Sequence, residues 1–353
     1  MLAPPAPAGL VEIADRVSER IRALLDAEIE RWSRVDADLR EPLESLAGLV
    51  LAGGKRLRPA FCHWAYVGAG GDPDDHSVVD AGAALELLHT FALIHDDVMD
   101  GSLTRRGLDA VHVQFGARHE TKRWRGEARR FGEGVAILVG DLAFVYADLL
   151  MTGLPRSAFD VFNELRLEVN IGQYLDLVGT VRGNGGRDAA RRISIYKSGK
   201  YTVERPLHLG AALAGRLGDL EEALSAYGLP LGEAFQLRDD LLGALGDASV
   251  IGKPVGDDLR EGKPTALVAM AAERASGADA RLLESRLGRP DLTDREIADL
   301  QSVLHATGAV SEVEARISDL VGTSLTALEA APIAAGARHH LRELALFVAG
   351  RDR

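Results

Sequence analysis

Apolar residues recur every three or four positions along most of this chain. In LVEIADRVSERIRALLDAEIERW (10–32) they fall on one stripe and the charged residues on the other, the period of an amphipathic helix. The same pattern predicts helices over 76–99, 131–151, 156–178, 218–245, 293–306 and 309–328. Alternating stretches bounded by hairpin turns, the mark of strands, are hard to find. High alanine and leucine content also favours helix. The chain reads as all-α, with about ten or more helices.

The breaks between helices carry the unusual residues. AGGKRLRP (52–59) is glycine-rich, then basic, then ends in proline. GNGG (183–186) is a flexible connection. RHETKRWRGEARR (118–130) is strongly basic and joins two helices, which suits a solvated loop or, alternatively, a lid over a site. GDASVIGKPVGDDLREGKP (246–264) is long for a connection inside a compact domain, and such loops are usually functional. None of these breaks resembles a linker between independent cores. One domain over 10–353 is expected, after a disordered N-terminus at 1–9.

Composition narrows the function classes. The chain has 353 residues, 46% of them hydrophobic, enough to bury a large core. With 53 acidic and 41 basic side chains its formal charge is -12, which disfavours broad nucleic-acid binding. The single cysteine, Cys62, allows no internal disulfide and suits a reducing cytoplasm. Its apolar neighbours mark it as a packed core residue rather than a nucleophile. The N-terminal MLAPPAPAGL lacks the basic and long apolar regions of a signal peptide. No uninterrupted apolar stretch reaches the roughly 20 residues of a membrane helix. Residues 135–151 come closest, but Asp141 and Asp148 interrupt them. A cytoplasmic location without stable membrane insertion is the expectation.

Candidate chemistry is concentrated in HTFALIHDDVMDGSLTRRG (89–107). Asp96 and Asp100 are four apart, so they project from one helix face. Two like charges at that spacing repel by about 1 kcal/mol in water and by several times that at reduced dielectric. The helix that carries them is apolar on most sides, so the acids need a counter-charge. A hard divalent cation supplies one: Mg²⁺ takes oxygen ligands and is commonly shared between one or two carboxylates and substrate phosphates. A second acidic pair, Asp239 and Asp240, follows another amphipathic run. Basic residues lie in or near the breaks: Lys55, Arg56, Arg58, Arg105, Arg106, Lys197, Lys200, Lys253 and Lys263. Arginine forks fit phosphate oxygens in pairs and lysine acts as a point charge. Acids, bases and a greasy helix together imply a polyphosphate substrate with an apolar part. A lone DDxxD or a lone RR is more often a solvated face; the combination in one all-α chain is not.

On GGKRLRP, LLHTFALIHDDVMD, RRG, GQYLDL, YKSGKYT, FQLRDD and GKPVGDDLREGK, the chain resembles the trans-isoprenyl diphosphate synthases, or polyprenyl synthetases. The resemblance runs from about 53 to 263 in the expected order. It implies an isoprenoid-synthase-type helical bundle around a central cavity. It also implies Mg²⁺-dependent head-to-tail condensation of isopentenyl diphosphate with an allylic prenyl diphosphate, with three Mg²⁺ ions per site and a homodimer. Carried over residue by residue, Asp96, Asp97, Asp100, Asp239 and Asp240 are the metal and catalytic aspartates. Lys55, Arg58, His89 and Arg106 match the isopentenyl diphosphate pocket. Arg105, Lys197, Ser198, Gln236, Lys253 and Lys263 match the allylic diphosphate site, with Lys197 also catalytic and Ser198 standing where the family often has threonine. Gln173 and Asp176 match residues lining the cavity. Gly243 stands where the family often has a third aspartate, and Asp247 or Asp257 are candidates to compensate.

Product length is expected to depend on the residues four and five before the first aspartate, Ala92 and Phe91. By resemblance, one aromatic at the fifth position and a small residue at the fourth imply a geranylgeranyl (C20) product. Farnesyl or longer products are the alternatives, and Leu150 and Met151 are further candidates for the floor. His95, beside the motif, reads as a packing residue rather than a base. A class I terpene cyclase would share fold and metals, but it has no use for a second diphosphate pocket. A non-catalytic regulatory subunit has no use for both acidic motifs.

Overall fold

The computed structural model describes residues 5–182, 186–246 and 256–350. The chain divides into two compact units. The first is made of Ala8–His63 and Pro73–Leu154. The second holds Trp64–Asp72 and the described residues from Pro155 onward.

In the first unit, α1 (Ala8–Ser33), α2 (Arg40–Leu51) and the start of α3 (Leu57–Gly68) surround α4 (His76–Asp100), and α5 (Val111–Lys122) packs on α6 (Ala128–Met151). The longest contact is between α4 and α6. Leu85, Leu87, Leu88 and Ile94 of α4 are fully buried with Ile21 and Leu25 of α1, Leu46 of α2 and Phe61 of α3. Each such side chain contributes about 1.5–3 kcal/mol by burial. The ends of α4 follow from its sequence. Asp75 caps the start by accepting from Ser77 N at 2.8 Å, and Gly101 closes the end at φ 68°.

In the second unit, α7 (Arg156–Arg182), α8 (Gly186–Ser194), a π-helical segment (Ile195–Glu204) and α9 (Arg205–Leu213) lead to α10 (Leu217–Leu245). The helices α11 (Asp257–Glu261), α12 (Ala266–Arg274), α13 (Gly277–Arg286), α14 (Asp294–Ala306), α15 (Ala309–Ala330) and α16 (Ala335–Gly350) follow. α10 packs along α15 and along the π-helical segment. Its Tyr227 is fully buried and donates to the Leu341 carbonyl at 2.7 Å.

The fold is all-α, as the periodicity predicts, and the expected helices appear within a few residues of their expected ends. Four local features differ. Of the N-terminal segment 1–9, residues 1–4 lie outside the described residues, while Ala8 and Gly9 already belong to α1, where Gly9 and Leu10 are buried. The basic segment 118–130 is mostly helix, with α5 running to Lys122 and α6 starting at Ala128. His119, Trp124 and Phe131 pack together there, and Arg118 pairs with Glu41. A small strand pair, β1 (Thr104–Arg105) with β2 (Leu108–Asp109), interrupts the helices. Finally, α4 and α6 are long and apolar enough to cross a membrane by length and composition, although most of the apolar window of α4 is buried inside the protein.

Candidate active site

The first acidic motif occupies the last turn of α4. Asp96 and Asp100 are half-buried, whereas Asp97 is only 1% exposed. The inward aspartate is held by Arg105, whose Nε donates to Asp97 Oδ1 at 2.9 Å and whose Nη2 lies 3.7 Å from Asp96 Oδ2. Burial lowers the Arg105 pKa, but the bond to Asp97 and the charges of Asp97, Asp96 and Asp100 raise it overall. The hairpin explains how two adjacent arginines reach different places. Arg105 sits in β1, while Arg106 and Gly107 form the two-residue turn with φ of 53° and 75°. A type I′ hairpin turn requires positive φ at both positions.

Arg106 turns toward the 52–56 connection after α2. Its Nη1 donates to the Leu49 carbonyl at 3.0 Å, and its Nη2 would lie 3.1 Å from a Cβ on Gly54. Gly53 and Gly54 have φ of 112° and 135°, which only glycine adopts freely. Lys55 is exposed, Arg58 half-buried and Arg56 buried. His89, two turns before Asp96 on α4, is held well below its ordinary pKa by burial of the ring and then by Arg58, Arg106, Arg56 and Arg105. It is therefore a neutral imidazole beside a cluster of guanidinium groups. Burial also drives the Arg106 pKa down to about 10, with Glu86 opposing and the neighbouring arginines reinforcing the shift.

Five residues before Asp96, Phe91 meets Phe144 of α6 with ring centroids 5.0 Å apart and His95 at 4.6 Å. His95 Nε2 lies 3.1 Å from the Ile137 carbonyl and is wedged against Gly140, where a Cβ would collide with the ring. That is the packing role the sequence suggests. Leu150 and Met151 are buried. Cys62 is buried too, and burial pushes its thiol pKa up, so it is no nucleophile.

In the second unit the π-helical segment carries Lys197 and Ser198. Such segments widen a helix and are frequent at functional sites. Lys197 Nζ donates to Asp176 Oδ2 at 2.5 Å. Gly172 makes that approach possible: a Cβ there would lie 2.6 Å from the Lys197 Cα. Gln173, next to it, is half-buried. Lys200 pairs with Glu168, and Arg205 grips the same carboxylate at 2.7 and 2.8 Å. Burial raises the Glu168 pKa, but these two cations lower it overall.

The second acidic motif lies on α10. Asp240 is buried and accepts from Gln236 Nε2 at 2.7 Å, while Asp239 is half-buried. Burial pushes the Asp240 pKa up to about 7; the Gln236 bond opposes this, and the charges of Asp258 and Asp239 add to it. Gly243 has no room for a side chain, because a Cβ there would collide with the Asp258 carboxylate. Lys263 lies 3.8 Å from Asp258 and 2.6 Å from Glu261. Lys253 and Asp247 lie outside the described residues.

The polyprenyl synthetase family model matches residues 39–304. The chain belongs to that family. As a polyprenyl synthetase it is a prenyltransferase. It is 34% identical over 348 residues to the short chain isoprenyl diphosphate synthase of Methanothermobacter thermautotrophicus, covering 97% of this chain and 100% of the relative. It is 30% identical to the nonaprenyl diphosphate synthase of Mycobacterium tuberculosis, covering 91% of this chain and 85% of that protein. Among solved structures, it is similar to the geranylgeranyl pyrophosphate synthase of Corynebacterium glutamicum crystallised with isoprenyl diphosphate and magnesium. That similarity has a TM-score of 0.92 at 38% identity, over 97% of this chain and 99% of the other.

Among the described residues no three acidic, histidine or cysteine side chains form a ready cage. The carboxylates come as oxygen-only groups at helix ends, which suits a Mg²⁺ ion that keeps waters and shares substrate phosphates. Asp96 with Asp100, and Asp239 with Asp240, could hold it. Sequence reasoning passed over Asp258, which fills the space beside Gly243, and, in the first unit, Glu86, the buried partner of Arg56. A signal for the first was available, since a glycine facing an acid-rich loop leaves room for an acid from elsewhere.

Proposed function

We propose that this synthetase condenses isopentenyl diphosphate with an allylic prenyl diphosphate in a Mg²⁺-dependent reaction, and that its product is geranylgeranyl diphosphate. The observation that best supports two diphosphate substrates is the separation of the two hairpin arginines. Arg105 is bound to the first acidic motif, and Arg106 belongs to a distinct cationic group with the 52–58 region. A cyclase would need only the former.

In this reading Lys55, Arg58, His89 and Arg106 bind isopentenyl diphosphate. Arg105, Lys197, Ser198, Gln236, Lys253 and Lys263 serve the allylic diphosphate, while Gln173 and Asp176 line the hydrocarbon path. Mg²⁺, three ions when fully loaded, would neutralise the departing diphosphate. Asp96, Asp100 and Asp239 present the most accessible carboxylates for it, with Asp97 and Asp240 packed behind them. Asp258 supplies the acid that Gly243 lacks. The allylic C–O bond breaks, with its electron pair leaving on diphosphate. The isopentenyl double bond then attacks the cation, and the released diphosphate takes the proton. Lys197 and the arginines stabilise the charge that develops on the leaving group.

The contact of Phe91 with Phe144 supports a floor at C20, because it fixes one aromatic ring below the acidic motif. Relatives that bear names of both short and long products make this the part most in need of a test. A homodimer in the cytoplasm completes the reading, and the exposed apolar residues Ile137, Leu138, Val145 and Leu149 of α6 favour the dimer.

Incubation with radiolabelled isopentenyl diphosphate and C5, C10 and C15 allylic primers, with and without Mg²⁺, tests the function. A C20 product that requires Mg²⁺ is expected. No condensation with any primer would overturn the assignment, and a product of another length would overturn only the C20 part.

A further inference from the structure

Behind the basic region of the first unit sits a carboxylate that no acidic motif includes. Glu86 lies on α4 one turn before His89, so the two share a face. It is 2% exposed and pairs with Arg56. Arg56 belongs to GGKRLRP but points the other way from its neighbours. Its φ of 47° is a left-handed conformation that a residue with a Cβ adopts only when its surroundings hold it there. That turn sends the guanidinium inward, while Lys55 just before it stays exposed.

The inward guanidinium has two anchors. One is Glu86; the other is the Val50 carbonyl at the C-terminal end of α2. Arg106 donates to the same end of α2, to Leu49 at 3.0 Å and to Val50 at 3.5 Å. The negative pole of a helix therefore receives two arginines at once. His89 is kept neutral here, so it adds no further charge. Glu86 is the attractive charge acting on Arg106, against repulsion from Arg56, Arg58 and Arg105. A bound diphosphate would neutralise these cations from the solvent side. Before it binds, a resident counter-charge must do so, and a buried carboxylate behind the cluster does this without competing for the ligand.

We propose, on the basis of the isopentenyl diphosphate pocket assigned above, that Glu86 is a positioning residue for that pocket. Through Arg56 it fixes the 52–58 region on α4 and holds the guanidinium groups together in the empty enzyme. It does not touch the substrate. Its effect falls on isopentenyl diphosphate, because Arg56 and Arg106 meet at the end of α2, whereas Arg105 is held by Asp97.

The test is steady-state kinetics with each substrate varied in turn. The proteins are wild type, Glu86→Gln, Glu86→Asp and the double variant Arg56→Met with Glu86→Leu. Glu86→Gln should raise the isopentenyl diphosphate KM about tenfold or more and leave the allylic KM within about twofold. Glu86→Asp keeps the charge and should recover part of the loss. The double variant removes both buried charges, so it should melt like wild type yet keep a raised isopentenyl KM. An unchanged isopentenyl KM, or equal rises in both KM values, in whichever of these variants folds would overturn the proposal. Failure of both Glu86→Gln and the double variant to fold would make the pair a folding element and overturn it equally. Lys55→Ala separates this from the pocket assignment: if that variant leaves the isopentenyl KM unchanged, the assignment itself fails, whatever Glu86 does.

Discussion

His89 sits one turn beyond Glu86 and is pressed by four arginines, so its protonation state is set before any substrate arrives. A histidine whose folded pKa lies below its unfolded value of about 6.5 stays neutral while the unfolded chain takes up a proton. Stability is therefore lost as pH falls below about 6.5, through the window down to the depressed folded pKa. Wild type should lose more stability than His89→Gln between about pH 7 and pH 5.5 in urea denaturation, and equal losses would refute a depressed His89. Phe91 is the residue whose size matters most to product length. Its ring is braced by Phe144 and His95, so Phe91→Ala opens space without removing either neighbour. The expected outcome is a shift from C20 to longer products on thin-layer or mass analysis, and an unchanged distribution would remove Phe91 from the floor.

At the scale of elements, glycines decide where charged side chains can go. Gly172 lets α7 touch the backbone of the π-helical segment, and Gly232 of α10 does the same from another side, where a Cβ would lie 2.5 Å from the Gly199 carbonyl oxygen. Gly172→Ala should force these elements apart, lower the melting temperature and weaken activity through Lys197. Loss of about 1–3 kcal/mol is the usual cost of overpacking, readable by thermal denaturation; an unchanged melting temperature would mean that the contact can relax. Gly243→Asp would restore the usual third aspartate of the family but must displace Asp258. Weaker Mn²⁺ binding by this variant, followed by electron paramagnetic resonance, is expected if Asp258 already supplies that acid. Tighter binding would show instead that the position is a true loss. These contacts also mark how far the sequence was legible. Helix boundaries were, because burial imposes a 3.6-residue period that survives in the letters. The acidic and basic motifs were, because their residue types are rare together. That Asp97 is buried while Asp96 and Asp100 stay half-buried could not be read from DDVMD alone, since it depends on Arg105 reaching back from the hairpin. Arg56 and Lys55 look equivalent in GGKRLRP, and only a positive φ at Arg56 separates them. Asp258 rather than Asp257 meets Gly243 because of the phase of a five-residue helix, which no periodicity can fix.

For the whole molecule, the distribution of apolar surface is the remaining clue. Most apolar side chains of α4 are inside the protein, which a membrane-spanning helix in lipid would not require. α6 differs. Ile137, Leu138, Val145 and Leu149 lie 45 to 64% exposed, and all but Ile137 follow a helical stripe that contains Asp141. α7 carries a second stripe, with Leu167, Ile171, Tyr174 and Val181 exposed. Exposed apolar stripes of this length are costly to leave in water, and association of like copies is a common way to cover them. Leu138→Glu with Val145→Glu places like charges along the α6 stripe without touching a buried residue. The expected result is a wild-type dimer by light scattering after gel filtration, and a double variant that elutes as a folded monomer. A wild type that is already monomeric would remove the dimer from the proposal. A double variant that stays dimeric would move the interface off the α6 stripe, leaving α7 as the next surface to charge. Activity of the monomer then tells whether the acidic and basic groups of one chain suffice for condensation.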